Sequence, residues 1–295
     1  MASKLTTFKN LNLIISDNSE RDVQEKLGDV CAEVGILFLA NDWSGYFVEN
    51  KKTLNIISAV RHSTSDYLIL LDDDSEITLA VVNKIVGELN RVDCVRTSVS
   101  FSKENLTNMV DMCGIFIVNS TCKDRQFWGM QALRRSVAHH LFDVRRNTLF
   151  DELTFFRHLI SRGATFSYLA DVSIVSHCDR SYTEFFEQRL RYSYENFAYP
   201  MRSCLFFSII PIIIAASLLF GFQVMMFALA CLSTISIFFS LVGWMASRKA
   251  SKHSIVINLA APLWVGLQSI FIWLALLRIC LGGKEFSGSN LRYAA

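Results

Sequence analysis

Charge is missing from two long stretches of this chain. No charged residue occurs from Cys204 to Met245 or from Ile255 to Leu277, and each run exceeds the roughly 20 residues that cross a bilayer as a helix. That absence excludes a water-soluble surface there and predicts an integral membrane protein. Proline is scarce, at three residues, and no low-complexity tract or internal repeat interrupts the chain, which excludes linker and solenoid architectures. Met1 to Asn12 lacks the apolar core of a signal peptide. The eight cysteines (Cys31, Cys94, Cys113, Cys122, Cys178, Cys204, Cys231 and Cys280) lack paired or metal-type spacing. They read as reduced thiols of a cytosolic domain rather than a disulfide framework. The net charge of +2 is too small to argue for a nucleic-acid partner.

Basic residues gather beside the apolar runs, at Arg189, Arg191 and Arg202 and again at Arg248, Lys249 and Lys252, the pattern of a cytoplasmic membrane face. The triplets Asn105-Leu106-Thr107 and Asn119-Ser120-Thr121 match the glycosylation acceptor pattern and stay unused on that side. Cys204 to Met245 is long enough for two spans broken near Gly221, and Ile255 to Leu277 for a third interrupted by Pro262. Three full spans would put Lys284 and Arg292 opposite the soluble domain, whereas basic tails favour the cytosol. Whether one segment is re-entrant stays open on sequence alone.

The first 200 positions alternate between strand and helix patterns. Leu11 to Ser16 reads as a strand ending at Asp17, Val23 to Val34 as a helix, and Ile36 to Ala40 as a second strand, a βαβ unit. A helix opens at Lys51, with Leu54, Ile57 and Val60 spaced for one buried face. It leads to the strand Tyr67 to Leu71, which stops at Asp72-Asp73-Asp74. Further elements follow as a helix from Thr78 to Leu89, strands at Cys94 to Phe101 and Met112 to Val118, and a helix from Gln131 to Leu141. A helix from Phe150-Asp151-Glu152 to a glycine stop at Arg162-Gly163 and a strand from Phe166 to Val175 complete the domain. The order predicts an α/β fold with a mostly parallel sheet. Positions 182–200 place aromatics and arginines at helical spacing, which reads as an amphipathic helix in the membrane interface. The expected division is a soluble domain over 1–181, that helix, a membrane region of two to three helices over 201–281, and a basic tail over 282–295.

Three carboxylates at a strand's carboxyl end cannot sit unpaired in a core. They form either a solvated turn before a helix or a cluster of hard oxygen ligands suited to Mg²⁺ or Mn²⁺ beside a phosphate. Their company bears on the choice. Asp17 follows an early strand, Lys52 and Asn55 precede the triplet, Asp151-Glu152 opens a later helix, and Gln188-Arg189-Leu190-Arg191-Tyr192 precedes the first apolar run.

In that order these elements resemble the inverting family-2-type glycosyltransferases of GT-A fold, and most closely the ceramide glucosyltransferase-like group. The resemblance covers about positions 11 to 200, with the apolar carboxyl-terminal segments as a further likeness. It implies a Rossmann-like catalytic domain followed by transmembrane helices. By the same likeness Asp17 contacts the nucleotide base or ribose, Lys52 and Asn55 match the family's lysine-asparagine stretch, and Asp72 and Asp74 match its D-x-D site. Asp72 would face the nucleotide and the metal, Asp74 would hold the metal, and Asp73 would point away on a strand-like backbone. The pair Asp151-Glu152 matches the motif that supplies the general base, in inverted order, with Glu152 favoured by register and Asp151 the alternative. Gln188, Arg191 and Tyr192 resemble the Q-x-x-R-W motif with tyrosine in place of tryptophan, and Trp128-Gly129-Met130 resembles the stretch before the acceptor-side helix.

The activity so implied is transfer of a hexose from a nucleotide sugar, a UDP-sugar such as UDP-glucose, to a lipid hydroxyl such as that of ceramide at the cytosolic face. A divalent metal would offset charge on the leaving diphosphate, and a carboxylate would take the acceptor proton. One departure concerns the amino end. The family's first strand and helix precede the strand that here starts near Leu11, and that first strand would lie inside the sheet. Two alternatives follow: a processive polysaccharide synthase-like enzyme, and a shortened, catalytically inactive membrane scaffold of the same fold.

Overall fold

The computed structural model describes residues 11–46, 49–121, 131–247 and 253–281, with the backbone of two short strands beyond them. Trp128-Gly129-Met130, Cys122, the basic residues Arg248, Lys249 and Lys252, and the tail residues Lys284 and Arg292 lie outside the described residues.

Strands β1 (Ile14–Asp17) and β2 (Leu37–Ala40) pair in parallel, Ile14 opposite Leu37, through helix α1 (Arg21–Glu33). Helix α2 (Lys51–His62) follows, with the predicted Leu54, Ile57 and Val60 on its buried face. The chain continues through β3 (Tyr67–Leu70), β4 (Ser75–Glu76), α3 (Leu79–Leu89), β5 (Cys94–Phe101) and α4 (Leu106–Thr121). Next come β6 (Gln131–Arg134), the short α5 (Arg135–Ala138), α6 (Asp151–Ser161) and β7 (Phe166–Ser176). Helix α7 (Tyr182–Asn196) then leads to α8 (Pro200–Phe220), α9 (Phe222–Ser247) and α10 (Ala261–Cys280), the last preceded by a 3₁₀ turn at Ile255–Ala260. Strands β8 (Glu285–Phe286) and β9 (Ser289–Asn290) pair antiparallel.

The main sheet has five strands in the order β3-β6-β5-β7-β4, and it is mixed rather than mostly parallel. Only β5 and β7 run parallel, while β6 runs against both β3 and β5, and β4 runs against β7. The expected helix from Gln131 is in fact strand β6 before a helix that begins at Arg135. Its Ala132 and Leu133 are fully buried between two neighbours, and a short apolar run buried on all sides carries no period that separates strand from helix. Met112 to Val118, expected as a strand, lies within α4 for the same reason: Val110 and Met112 to Phe116 are all buried, so no polar face marks the helical turn. The parallel pair β1-β2 forms a sheet of its own.

The main sheet is covered on both faces. On one side α3 and α4 bring Ile85, Leu89, Met112 and Phe116 against Val95, Val99 and Ile174. On the other, α2 and α6 bring Ile57, Val60, Phe155 and Leu159 against Leu68 and Leu133. Each such side chain contributes roughly 1.5–3 kcal/mol when fully buried.

Among the described residues, three segments are long and apolar enough to cross a membrane: Pro200–Phe220, Phe222–Ser247 and Ile255–Cys280. The predicted break falls at Gly221, whose φ of 84° is a conformation glycine adopts without strain. In their most apolar windows only 6% and 11% of the first two segments are buried inside the protein, against 56% of the third. The first two therefore present their apolar surface outward, and α10 forms the centre of the bundle. Helix α4 joins that bundle. A Cβ on Gly243 of α9 would lie 2.0 Å from the Phe116 carbonyl oxygen, and one on Gly114 of α4 would lie 2.0 Å from the Trp264 ring nitrogen of α10. Glycine at both places lets the helices approach closely.

Candidate functional site

The amino end of α2 is anchored before it carries any chemistry. Asn50 caps the helix, its side-chain oxygen accepting from the amides of Lys52 at 3.0 Å and Thr53 at 3.4 Å. The Asn50 side-chain amide donates to the Thr148 carbonyl at 3.0 Å, and its backbone amide to the Arg146 carbonyl at 2.7 Å. These bonds hold the first turn of α2 against the loop that enters α6. Lys52 thus comes beside the first residues of α6 and the end of β3.

The Lys52 ammonium is the hub of the site. Its Nζ lies 2.8 Å from Asp72 Oδ1, 2.9 Å from Glu152 Oε1 and 3.5 Å from Asp151 Oδ2. Burial by itself would lower its pKa, but the three carboxylates outweigh that and hold it well above the ordinary lysine value. Asp151 is the enclosed member, its side chain 3% exposed against 34% for Glu152 and 35% for Asp72. Burial first, and then the neighbouring Glu152 charge, push Asp151 up to about 7 against the partial relief from Lys52. Glu152 goes the other way: burial would raise it, yet the charge and hydrogen bond of Lys52 bring it down to about 2. Burial also raises Asp72, with Lys52 opposing. The carboxylates around the one ammonium therefore differ: Lys52 favours the ionised form of Glu152, whereas burial favours the neutral form of Asp151 and of Asp72.

The aspartate triplet divides as its backbone dictates. The Ser75 amide donates to the Asp72 carbonyl at 3.1 Å, closing a turn, with Asp73 exposed on its outside. Asp74 Oδ2 accepts from the Ser176 hydroxyl at 2.8 Å, and its backbone carbonyl accepts from the His177 amide at 2.8 Å. Asp74 is therefore set by β7, and its charge reaches Asp72. Among the described residues no group of three or more His, Cys, Asp or Glu is arranged to hold a metal. Two carboxylates flanking one turn nonetheless suit Mg²⁺, which keeps several waters and is held by one or two carboxylates together with phosphate oxygens.

Asp17 and Asn55 stand on the other side of α2. Asp17 accepts from both the amide and the hydroxyl of Ser19 at 2.9 Å, an Asx turn. The Asn55 side chain accepts from the Trp43 indole at 2.7 Å and the Asn41 amide at 3.2 Å, and donates to Asn18 at 2.6 Å. Its carbonyl also accepts from the Ser16 hydroxyl at 2.8 Å. Asn55 thus ties the β1-β2 unit to the helix that carries Lys52 one turn earlier. Asp17 itself bonds within the β1-β2 unit, to Ser19 and through its backbone carbonyl to Gln24.

Helix α7 meets the site through the residues just ahead of Asp151. The Tyr192 ring stacks on Phe150 at 6.2 Å between centroids, and Arg191 donates to the Leu149 carbonyl at 3.4 Å. Gln188 donates to the Tyr192 hydroxyl at 2.7 Å, and burial pushes that phenol up. Arg191 and Tyr192, with Gln188 bonded to Tyr192, therefore meet the entry to α6 just ahead of the carboxylate cluster.

Two features escape a reading of the sequence. Arg96, in the middle of β5, donates to the Glu152 carbonyl at 3.2 Å and lies 4.4 Å over the Phe156 ring. Burial lowers it to about 10, with Glu152 opposing, so it stays charged at neutral pH. The second feature is Asp111, buried in α4 with Arg180 at 2.9 Å and Arg189 at 3.0 Å. A lone acid inside the apolar run of Val110 to Phe116 was the available signal, since a charge is buried only when paired. Arg189, expected at a membrane face, is 2% exposed, and its charge answers Asp111 instead of lipid phosphate.

No protein-family model matches the chain, and no curated protein matches it.

Proposed function

We propose that the protein is a membrane-bound, metal-dependent inverting glycosyltransferase of the GT-A, family-2 type. It moves a hexose from a UDP-sugar to a lipid hydroxyl such as that of ceramide, at the cytosolic face. The observation that carries this reading is the meeting of Lys52, Asp72, Asp151 and Glu152, from three separated segments, at one point. The parallel β1-α1-β2 unit, the parallel β5-β7 pair and three apolar segments close to the same domain support it.

In this reading Asp72 and Asp74 would hold Mg²⁺ or Mn²⁺, which would supply charge stabilisation to the leaving diphosphate. Glu152 is the base, because it is accessible whereas Asp151 is enclosed. Lys52, beside Asp72 and Glu152, is placed to meet the negative charge of a bound diphosphate. Arg96 steadies the backbone beneath Glu152.

The test is transfer of labelled hexose from UDP-sugars to ceramide-like lipids by the full chain in nanodiscs, with and without divalent metal. Metal-dependent transfer is expected, and its absence across UDP-sugars and lipid acceptors defeats the reading. One observation favours the inactive-scaffold alternative: β1-β2 stands apart from the main sheet, leaving β1 and β3 unpaired with one another. Failure to bind any UDP-sugar in calorimetry would select it.

A further inference from the structure

The 20 residues of α10 extend about 30 Å, the thickness of a bilayer's hydrocarbon core, yet the α/β domain meets this segment along its whole length. Just ahead of it the Ser254 amide donates to Glu104 at 3.1 Å, shortly after the end of β5. The Ile257 carbonyl accepts from the Cys113 thiol of α4 at 2.9 Å, and the Ile257 side chain joins the core with Val95, Val99 and Ile174 of the main sheet. Further along, Gln268 accepts from the Asn196 side-chain amide of α7 at 3.2 Å. At the far end Ala275 and Ile279 pack on Leu149, Phe150 and Tyr194, at the entry to α6.

A crossing helix cannot keep these contacts. Were α10 to cross, Glu104 and Phe150 would lie on opposite sides of the bilayer, although both belong to one domain in which Arg96 of β5 donates to the Glu152 carbonyl. Near the midpoint of Ile255–Cys280, Trp264 and Gln268 line one cavity with Asp111, Arg189, Glu195 and Arg202. Crossing would bring those ionised groups to the bilayer centre, where charge is costly.

The face of α10 turned away from the domain is apolar. Leu263, Ile270, Leu274, Leu277 and Leu281 are exposed on one helical stripe. That stripe continues into the outward surface of α8, where Phe207 meets Trp273 at 4.9 Å between ring centroids. Helices α8 and α9 behave differently from α10. Phe206 near the start of α8 and Gly243 near the end of α9 are buried, whereas Leu218, Leu219, Phe220 and Phe222 around Gly221 are 66–81% exposed. This pair leaves the domain and returns to it. We infer that α10 lies along the bilayer surface, one face on the domain and the leucine stripe against lipid acyl chains. Only the α8–α9 hairpin then enters the bilayer, and the end of α10 stays on the domain's side. A helix with an apolar stripe is stable in the interface plane without crossing. The conflict that three crossings raise for the basic Lys284 and Arg292 does not arise. This placement holds whatever reaction the domain performs.

The experiment uses the full chain, its exposed native cysteines replaced by alanine, in nanodiscs of phosphatidylcholine and phosphatidylglycerol. Nitroxide labels on Leu263→Cys, Ile270→Cys and Leu277→Cys report depth through their accessibility to oxygen and to an aqueous nickel complex. The three positions span about 21 Å along the helix. Depths equal within roughly 5 Å, all in the outer 5–10 Å or so of the acyl region, are expected. A maximum at Ile270 with the other two about 10 Å shallower is the profile of a crossing helix and overturns the placement. Labels in water at all three positions overturn the lipid contact. The unmodified protein supplies a second measurement should a variant not fold. In sealed vesicles with the domain outward, a membrane-impermeant maleimide should label Cys280, exposed at the end of α10, to the same extent before and after permeabilisation, read by peptide mass spectrometry. Labelling of Cys280 only after permeabilisation overturns the placement.

Discussion

Lys52 and Glu152, one hundred positions apart, meet at 2.9 Å, and both begin helices. The contact joins the helix before the aspartate turn to the helix that carries the base of the proposed reaction. It also explains why the two carboxylates of Asp151-Glu152 differ: Glu152 takes the shorter contact with the ammonium and Asp151 is left enclosed.

The aspartate turn sets its members in different surroundings, Asp74 against the Ser176 hydroxyl and Asp73 exposed. Asp74→Asn should lower metal-dependent transfer at least a hundredfold with an unchanged melting temperature. Asp73→Asn, altering an exposed side chain, should stay within about twofold, as surface substitutions usually have little effect on stability or site geometry. Steady-state assays over a Mg²⁺ titration decide this, and equal losses from both variants would refute the division.

The base assignment rests on access. Glu152→Gln should reduce kcat by about 10²–10⁴-fold, the range for loss of general base catalysis, with UDP-sugar binding retained in calorimetry. A loss of under tenfold would remove Glu152 from that role.

Asp151 makes a pH-dependent prediction with a definite sign. Its pKa rises from 3.8 in an ordinary setting to about 7 in the fold, so between those values the unfolded chain releases the proton more readily than the folded one. Wild-type stability therefore falls as pH rises from about 4 to 7 through this group. Glu152, lowered from 4.5 to about 2, contributes stability above pH 4.5 that is lost on acidification. Asp151→Asn should melt higher than wild type at pH 8, with the advantage fading by pH 4. A difference that does not change with pH would contradict the burial argument.

The glycine contact between α4 and α9 predicts a packing effect. At Gly243 a methyl group would meet backbone, the Phe116 carbonyl at 2.0 Å, which cannot rotate away. Gly243→Ala should destabilise by about 1–3 kcal/mol, the usual cost of overpacking. Gly266→Ala, with nothing within 4 Å of the new methyl, should be neutral or slightly stabilising. Thermal unfolding in detergent distinguishes them.

Local pattern made much of this legible in advance. The period of Leu54, Ile57 and Val60 reported the buried face of α2, Gly163 ended α6 at φ 85°, and Gly221 broke the apolar run. Where polarity carried no period, legibility failed. Ala132 and Leu133 and the run from Met112 to Phe116 are buried, and β6 turned the sheet from mostly parallel to mixed by running against both of its neighbours.

The sequence by itself determined the mixed α/β character, the apolar segments and the buried face of α2, because these follow from composition and spacing along the chain. Only the tertiary structure decided that Lys52 sits among Asp72, Asp151 and Glu152, and that Arg189 faces Asp111 and not the membrane. Those outcomes depend on which charges are brought together out of water. That is set by the packing of helices distant in sequence, and burying a charge is favourable only where its partner is already waiting.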